Sequence, residues 1–303
     1  MNVSSLTASE LGDRLAGHGL FLRTGPFVAR IQSSIPSVAS GIRLMYADSR
    51  LAGENGFADF HVRLATPANI RRWFRPQVLF FHDGMTPFKP LPLDQAYPML
   101  EWGLNWCISS FAHQYLIIHA AVIEYQGRAA ILPAPPGSGK STLCAALVQR
   151  GWRLLSDELA LIRLSDGYFI PLSRPVSLKN ASIQIIRDFE PSAVVGPLSH
   201  DTSKGTVAHL KPPAESIRRI DEHALPGWIV FPRYEAGADP KLSAETKAQS
   251  FMRVAESAFN YSFLGGAGFH AMSRLIDTCD SFDFVYSRLD DAIAAFENLA
   301  RTK

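Results

Sequence analysis

The sequence predicts an α/β protein organised around a strand, a glycine-rich loop and a helix. Three observations carry that prediction. Residues 128–133 are mostly apolar and run into Ala134-Pro135-Pro136-Gly137-Ser138-Gly139-Lys140-Ser141-Thr142. Residues 142–150 then read as a helix, with Gly151 as its C-terminal stop. A further strand, predicted over residues 152–162, carries Asp157 and Glu158 within it.

The surrounding elements follow from the same reasoning. Thr7 with Glu10 three residues on is a capping box and opens a short amphipathic helix. Residues 27–31, 42–46, 60–64 and 78–81 have strand character, and Gly53 to Gly56 has the chemistry of a hairpin loop between the second and third. Prolines 90 and 92 exclude helix and suggest an extended connection. Apolar residues then recur at helical spacing over 98–113, followed by a strongly apolar strand over 115–123 and a turn at Gln126-Gly127. Helices are expected over 251–259, 269–277 and 289–301, with residues 265–268 as a plain turn because they lack the GxGxxG spacing of a dinucleotide loop. This divides the chain into a mixed α+β N-terminal region, residues 1–92, and a larger domain, residues 93–303, that holds the loop.

Composition sets limits on partners. The 303 residues are 47% hydrophobic, enough for a sizeable core. Thirty basic against 28 acidic side chains give a net charge of +2, no basis for nucleic acid or an anionic membrane as main partner. No apolar run approaches the ~18 residues that span a bilayer. Cys107, Cys144 and Cys279 lie far apart and fit neither a zinc site nor a disulfide framework. With no secretory leader pattern at the N-terminus, the expected setting is a reducing cytoplasm.

The loop fits [AG]-x4-G-K-[ST], and each position has a physical task. Gly137 and Gly139 let the backbone fold so that successive N–H groups converge on phosphate oxygens. Lys140 offers a mobile charge to the β- and γ-phosphates, and Ser141 a hydroxyl to Mg²⁺. The helix that follows adds the positive end of its dipole. Residues 134–142 are therefore expected to bind a nucleoside triphosphate. Asp157 follows Lys140 by only 17 residues, room for one helix, one turn and one strand. A carboxylate placed so early can serve Mg²⁺ and also reach the γ-phosphate.

Ile118-His119-Ala120 before the loop, the loop itself, and Leu155-Ser156-Asp157-Glu158 after it together resemble the HPr kinase/phosphorylase family, which shares its P-loop core with the phosphoenolpyruvate carboxykinases. His119 precedes Lys140 by 21 residues, as in that family. The branch called HPr kinase-related kinase A is the most similar, through residues 204–209 and 230–234. The resemblance implies an ATP-dependent transfer of the γ-phosphate to a hydroxyl, of the kind a Ser side chain offers. It implies Asp157 as the group that takes or orients the acceptor proton, His119 paired with Asp157, and Ser141 with Glu158 holding Mg²⁺. Lys204, His209, Arg174, Lys179 and Arg233 are candidates to clamp the γ-phosphate or the acceptor. Family members are often homo-oligomers.

Two departures narrow this. The second acid is Glu158 where the family has Asp, and the family's E-x-R-G-x-G signature is replaced by Ser173-Arg174-Pro175-Val176-Ser177-Leu178-Lys179. That signature belongs to the dephosphorylating half of the bifunctional enzymes, so the resemblance extends neither to phosphorylase activity nor to HPr as acceptor. The acceptor stays open: protein, peptide or small molecule. The alternative is a nucleotide-binding regulatory or scaffold protein without transfer. A mechanical ATPase or GTPase ranks last, because neither NKxD nor LSGGQ occurs.

Overall fold

A computed structural model describes residues 1–53, 56–68 and 70–302 of the chain. The N-terminal region runs α1 (Ala8–Ala16), β1 (Leu20–Thr24), β2 (Phe27–Ser33), α2 (Pro36–Met45), β3 (Phe60–Ala65), α3 (Arg71–Phe74), β4 (Gln77–His82) and β5 (Leu91–Pro92). Its five strands lie in sequence order in one sheet. The capping box forms as expected: Thr7 accepts from the Glu10 N–H, and the Glu10 carboxylate accepts from the Thr7 N–H. β2 and β3 alternate buried and less buried residues, as strands covered on one face should.

Residues 42–46 are not the expected strand. They fall in and just after α2, whose buried Val38, Gly41, Ile42 and Met45 follow helical spacing. Pro36 starts the helix, and its fixed φ suits that first position. The β-propensity of Ile42 to Tyr46 yields to packing: Gly41 sits so close to the Tyr97 ring that a Cβ there would lie 2.1 Å from it. β2 and β3 consequently pair in parallel across α2 rather than as a hairpin. The loop residues Glu54 and Asn55 lie outside the described residues.

Next come α4 (Ala96–Phe111), β6 (Tyr115–Tyr125), β7 (Arg128–Pro133), α5 (Lys140–Gln149), β8 (Arg153–Ser156), β9 (Leu159–Arg163) and β10 (Phe169–Ile170). β11 (Val176–Lys179), α6 (Ala181–Phe189), β12 (Ser199–Thr202), β13 (Gly205–Leu210) and α7 (Ala214–Arg218) follow. The chain closes with β14 (Leu225–Tyr234), β15 (Lys241–Ala244), α8 (Lys247–Glu256), α9 (Tyr261–Thr278), β16 (Asp280–Tyr286) and α10 (Leu289–Arg301). The Gly265 segment is not a turn. It is a kink inside α9, where Gly265 adopts φ 54° and ψ −126°.

The central sheet has the order β10-β9-β6-β7-β14-β16-β15, with β8 also paired to β6. It is mixed: β14 is parallel to β7 and β16, while β6 is antiparallel to β7, β8 and β9. A small sheet, β11-β13-β12, stands beside it. β7 is buried along almost its whole length, the mark of a strand covered on both faces. Ala130 and Leu132 face a core shared with α5, α6 and α10, while Ala129 and Ile131 face one shared with α8 and α9. A third core joins the N-terminal sheet to α2 and α4, and reaches Ile117, Leu159 and Leu161 of the central sheet. Cys107, Cys144 and Cys279 are all buried, one in each core, and none is in a disulfide. Among the described residues no helix is long and apolar enough to cross a membrane.

Candidate active site

Residues 134–139 join β7 to α5. Gly137 and Gly139 both adopt φ 88°, the left-handed region that glycine enters without steric cost. Gly139 caps α5 without a side chain, so the first N–H groups of that ten-residue helix have no side-chain acceptor there. The loop is pinned by the last residues of β14 and β16. Ser138 C=O accepts from the Tyr234 N–H at 3.0 Å, and Gly139 C=O from the Tyr286 hydroxyl at 3.2 Å. A Cβ on Gly139 would stand 2.5 Å from that hydroxyl.

Residues 135–142 line a cleft of about 780 Å³ together with His119, Glu158, Ser177, Lys179, Tyr234 and Tyr286. Ile185, Phe189 and Leu289 add apolar lining, interleaved with Asp188 and Asp290. Ala134 is buried at the foot of the loop. Lys140 is only 8% exposed, and its Nζ has no hydrogen-bond partner among the described residues. The Ser138 hydroxyl is likewise buried and unpartnered. Burial lowers the pKa of Lys140, against the opposing pull of Asp157 and Glu158.

The strand expected over residues 152–162 is two strands. β8 and β9 both pair with β6, and the chain leaves the ladder between them at Asp157 and Glu158. The pairing register of β8 shifts between Val122 and Ile123, a bulge of the kind that turns a strand end toward a site. Asp157 is 4% exposed; its Oδ2 accepts from the Ser177 N–H at 3.1 Å, and its Oδ1 has no hydrogen-bond partner among the described residues. Burial raises its pKa to about 6, with Lys140 pulling it down and Glu158 pushing it further up. Glu158 behaves oppositely. Burial works against its ionisation, but Lys204, Lys179, Lys140 and His119 together hold its pKa below the ordinary value. Its carboxylate accepts from the Asn105 amide and lies 3.9 Å from Lys179 Nζ.

His119 lies on β6, paired across to Leu159, and lines the cleft. Burial first, then Lys140, lowers its pKa to about 4, so it is neutral at pH 7. The expected pairing of His119 with Asp157 is not formed among the described residues. Asp157 is held by Ser177, and the carboxylate that acts on the imidazole is Glu158. His119 sits instead beside the exposed Phe259 ring, 5.8 Å between centroids.

The five candidate clamp residues separate. Lys179 lines the cleft. Lys204 lies over the Trp102 ring, 5.1 Å from its centroid. Arg233 is exposed and pairs with Glu235 at 3.5 Å, away from the cleft. His209 is buried against Tyr97 and borders a chamber of about 20 Å³ behind the carboxylates. Arg174 is no clamp: it is buried and committed to Glu101, Asn105 and Tyr46. Asp157 also borders that chamber rather than the cleft, while Glu158 and Ser177 border both.

No group of three or more His, Cys, Asp or Glu side chains suited to a metal occurs among the described residues. Mg²⁺, however, takes one or two protein oxygens and completes its shell with phosphates and water. Ser141 and Glu158, both lining the cleft, fit that requirement, and the unpartnered Oδ1 of Asp157 lies behind them. Sequence reasoning missed Ser177, Asn105, Tyr234 and Tyr286 as parts of this site. Tyr234 and Ser177 lie within segments compared with the family, but Asn105 and Tyr286 carry no local signal.

No family model and no curated protein matches the chain. Among solved structures it is similar to the Hpr(Ser) kinase/phosphatase from Coxiella burnetii, at 12% identity, over 61% of this chain and 94% of that one, with a TM-score of 0.25. A superposition of that quality does not assign any residue of one chain to a residue of the other.

Proposed function

We propose that this chain is an ATP-dependent phosphotransferase of the HPr kinase-like type, acting on a hydroxyl acceptor. The observation that carries the reading is Lys140. A buried ammonium with no hydrogen-bond partner is costly, and it persists where an anion arrives to satisfy it. The open N–H groups at the start of α5 and the unpartnered Ser138 hydroxyl face the same need, which a triphosphate meets.

In this reading residues 134–142 bind ATP, with the β- and γ-phosphates on Lys140 and the nucleoside directed toward Ile185, Phe189 and Leu289. Ser141 and Glu158 hold Mg²⁺, which when bound neutralises charge on the phosphates. Asp157, with its pKa near 6, is suited to take the proton from the acceptor hydroxyl, since a general base works best near the working pH. His119, neutral and beside Glu158, borders the place where the acceptor would enter. The acceptor itself is a protein, peptide or small molecule presenting a hydroxyl.

The test uses γ-labelled ATP with candidate acceptors, alongside calorimetric nucleotide binding. Lys140→Ala should lose nucleotide binding. Asp157→Asn should bind ATP normally and transfer roughly 10²–10⁴-fold more slowly. Transfer by Asp157→Asn at the wild-type rate would show that the base lies elsewhere. The binding-only alternative draws on one observation, that Asp157 borders the rear chamber and not the cleft. Tight ATP binding with label never leaving the nucleotide, whatever the acceptor, would favour it.

A further inference from the structure

Behind Glu158 lies a buried polar chain that reaches into the N-terminal region. The Arg174 guanidinium donates through Nη2 to Glu101 Oε2 at 2.6 Å and to the Glu101 carbonyl at 3.0 Å. Its Nη1 donates to Asn105 Oδ1 at 2.5 Å, and its Nε to the Tyr46 hydroxyl at 3.3 Å. Tyr46, at the C-terminal end of α2, donates in turn to Glu101 Oε1 at 2.8 Å. Asn105, one turn along α4 from Glu101, donates its amide to Glu158 Oε2.

The direction of this chain is forced. Arginine has five donors and no acceptor, so the Asn105 atom facing Arg174 has to be the carbonyl oxygen. The NH₂ group then faces Glu158, and a donor aimed at a carboxylate favours its ionised form. Arg174 cannot turn away, because it is 6% exposed and held by Glu101 and Tyr46. One oxygen of Glu158 is thereby taken by Asn105, and the other is left toward Lys179 and the cleft.

We infer that Asn105 is a positioning residue for the metal-holding carboxylate. Through an amide orientation dictated by Arg174, it holds one oxygen of Glu158 and leaves the other toward the cleft, where Mg²⁺ would be held with the nucleotide. This rests on the proposed role of Glu158. Groups that orient a metal-binding carboxylate typically change metal affinity by roughly 10–100-fold when removed.

The test is a Mg²⁺ titration of fluorescent ATP-analogue binding to the full chain, with a parallel measurement in EDTA. Asn105→Ala should raise the half-saturating Mg²⁺ concentration at least ~10-fold and leave affinity in EDTA within about twofold. Asn105→Asp keeps the acceptor toward Arg174 but sets a carboxylate against Glu158, so it should fold and shift the midpoint at least as far. Glu158→Gln should shift it too. Midpoints unchanged in both Asn105 variants but raised in Glu158→Gln would overturn the role of Asn105. So would equal losses with and without Mg²⁺, which a merely structural role predicts. An unchanged midpoint in Glu158→Gln, with binding still abolished by Lys140→Ala, would instead remove Glu158 from the metal, and Asn105 with it.

Discussion

The four-residue strand β8 ends in two opposite ways. At one end Arg153 is buried and paired: Nε donates to Glu124, and Nη1 donates to the carbonyls of Arg219 at 2.8 Å and Glu222 at 2.9 Å. The second oxygen of Glu124 accepts from the Gly127 N–H. Beyond the other end Asp157 is equally buried, yet among the described residues neither its Oδ1 nor the nearby Lys140 Nζ has a hydrogen-bond partner. Buried charge is tolerated when it is paired and hydrogen-bonded, and it costs stability when it is not. The closed end therefore serves folding. The open end leaves buried polar atoms less completely paired.

The largest effect should come from breaking the closed end. Arg153→Ala leaves Glu124 buried without its main partner and should cost roughly 3–5 kcal/mol in denaturant unfolding. Nucleotide affinity of the folded protein should be unchanged. A loss under about 1 kcal/mol would show that the two ends are not energetically distinct.

Asp157→Asn should act in the reverse direction on stability. The folded pKa of Asp157, about 6, lies above its ordinary value of 3.8, so the folded state binds the proton more readily than the unfolded chain does. Ionisation thus costs nothing below about pH 4, costs more as pH rises toward 6, and is fully in force above that. The variant should be more stable than wild type by roughly 1–3 kcal/mol at pH 8 and equal to it near pH 3.5, measured by unfolding at each pH. A pH-independent difference would contradict the assignment.

Smaller is the effect of Gly139→Ala, which combines the left-handed φ with a clash against the Tyr286 hydroxyl. A loss of about 1–2 kcal/mol from the backbone is expected, together with weaker ATP binding. Least of all, the imidazole of His119 should titrate by NMR below pH 5, and its pKa should rise in Lys140→Ala, which removes the second cause of its depression. A pKa near 6.5 in wild type would mean a site more open to water than its burial indicates.

How far the sequence could be read depended on how local the signal was. β7 and the junction of the glycine-rich loop with α5 were legible almost to the residue, because strand, glycines and helix are consecutive and each step is constrained by backbone geometry. The α2 segment was misread as a strand: the run Ile42 to Tyr46 favours β structure, and the contact of Gly41 with Tyr97, 56 residues away, reverses it. The break between β8 and β9 was invisible because both strands use β6 as partner, and nothing local marks a bulge. The same holds for the site. Lys140, Ser141 and Glu158 were found from spacing and do line the cleft, while the partner of His119 was not. Arg174 looked like a phosphate clamp because a basic residue near an acidic pair suggests one. Its actual partners, Tyr46 and Glu101, lie 128 and 73 positions away and could be seen only in the folded chain.

The three cysteines offer a way to watch the chain come apart. Burial pushes the Cys107 thiol up to about 12 and the Cys144 thiol well above its usual range, so neither presents a thiolate to a reagent at neutral pH. Because each core holds one of them, a sulfhydryl dye added to the native protein should react only as each core opens. Three labelling rates, assigned by peptide mapping, would then time the separate opening of the N-terminal core and of the two faces of the central sheet.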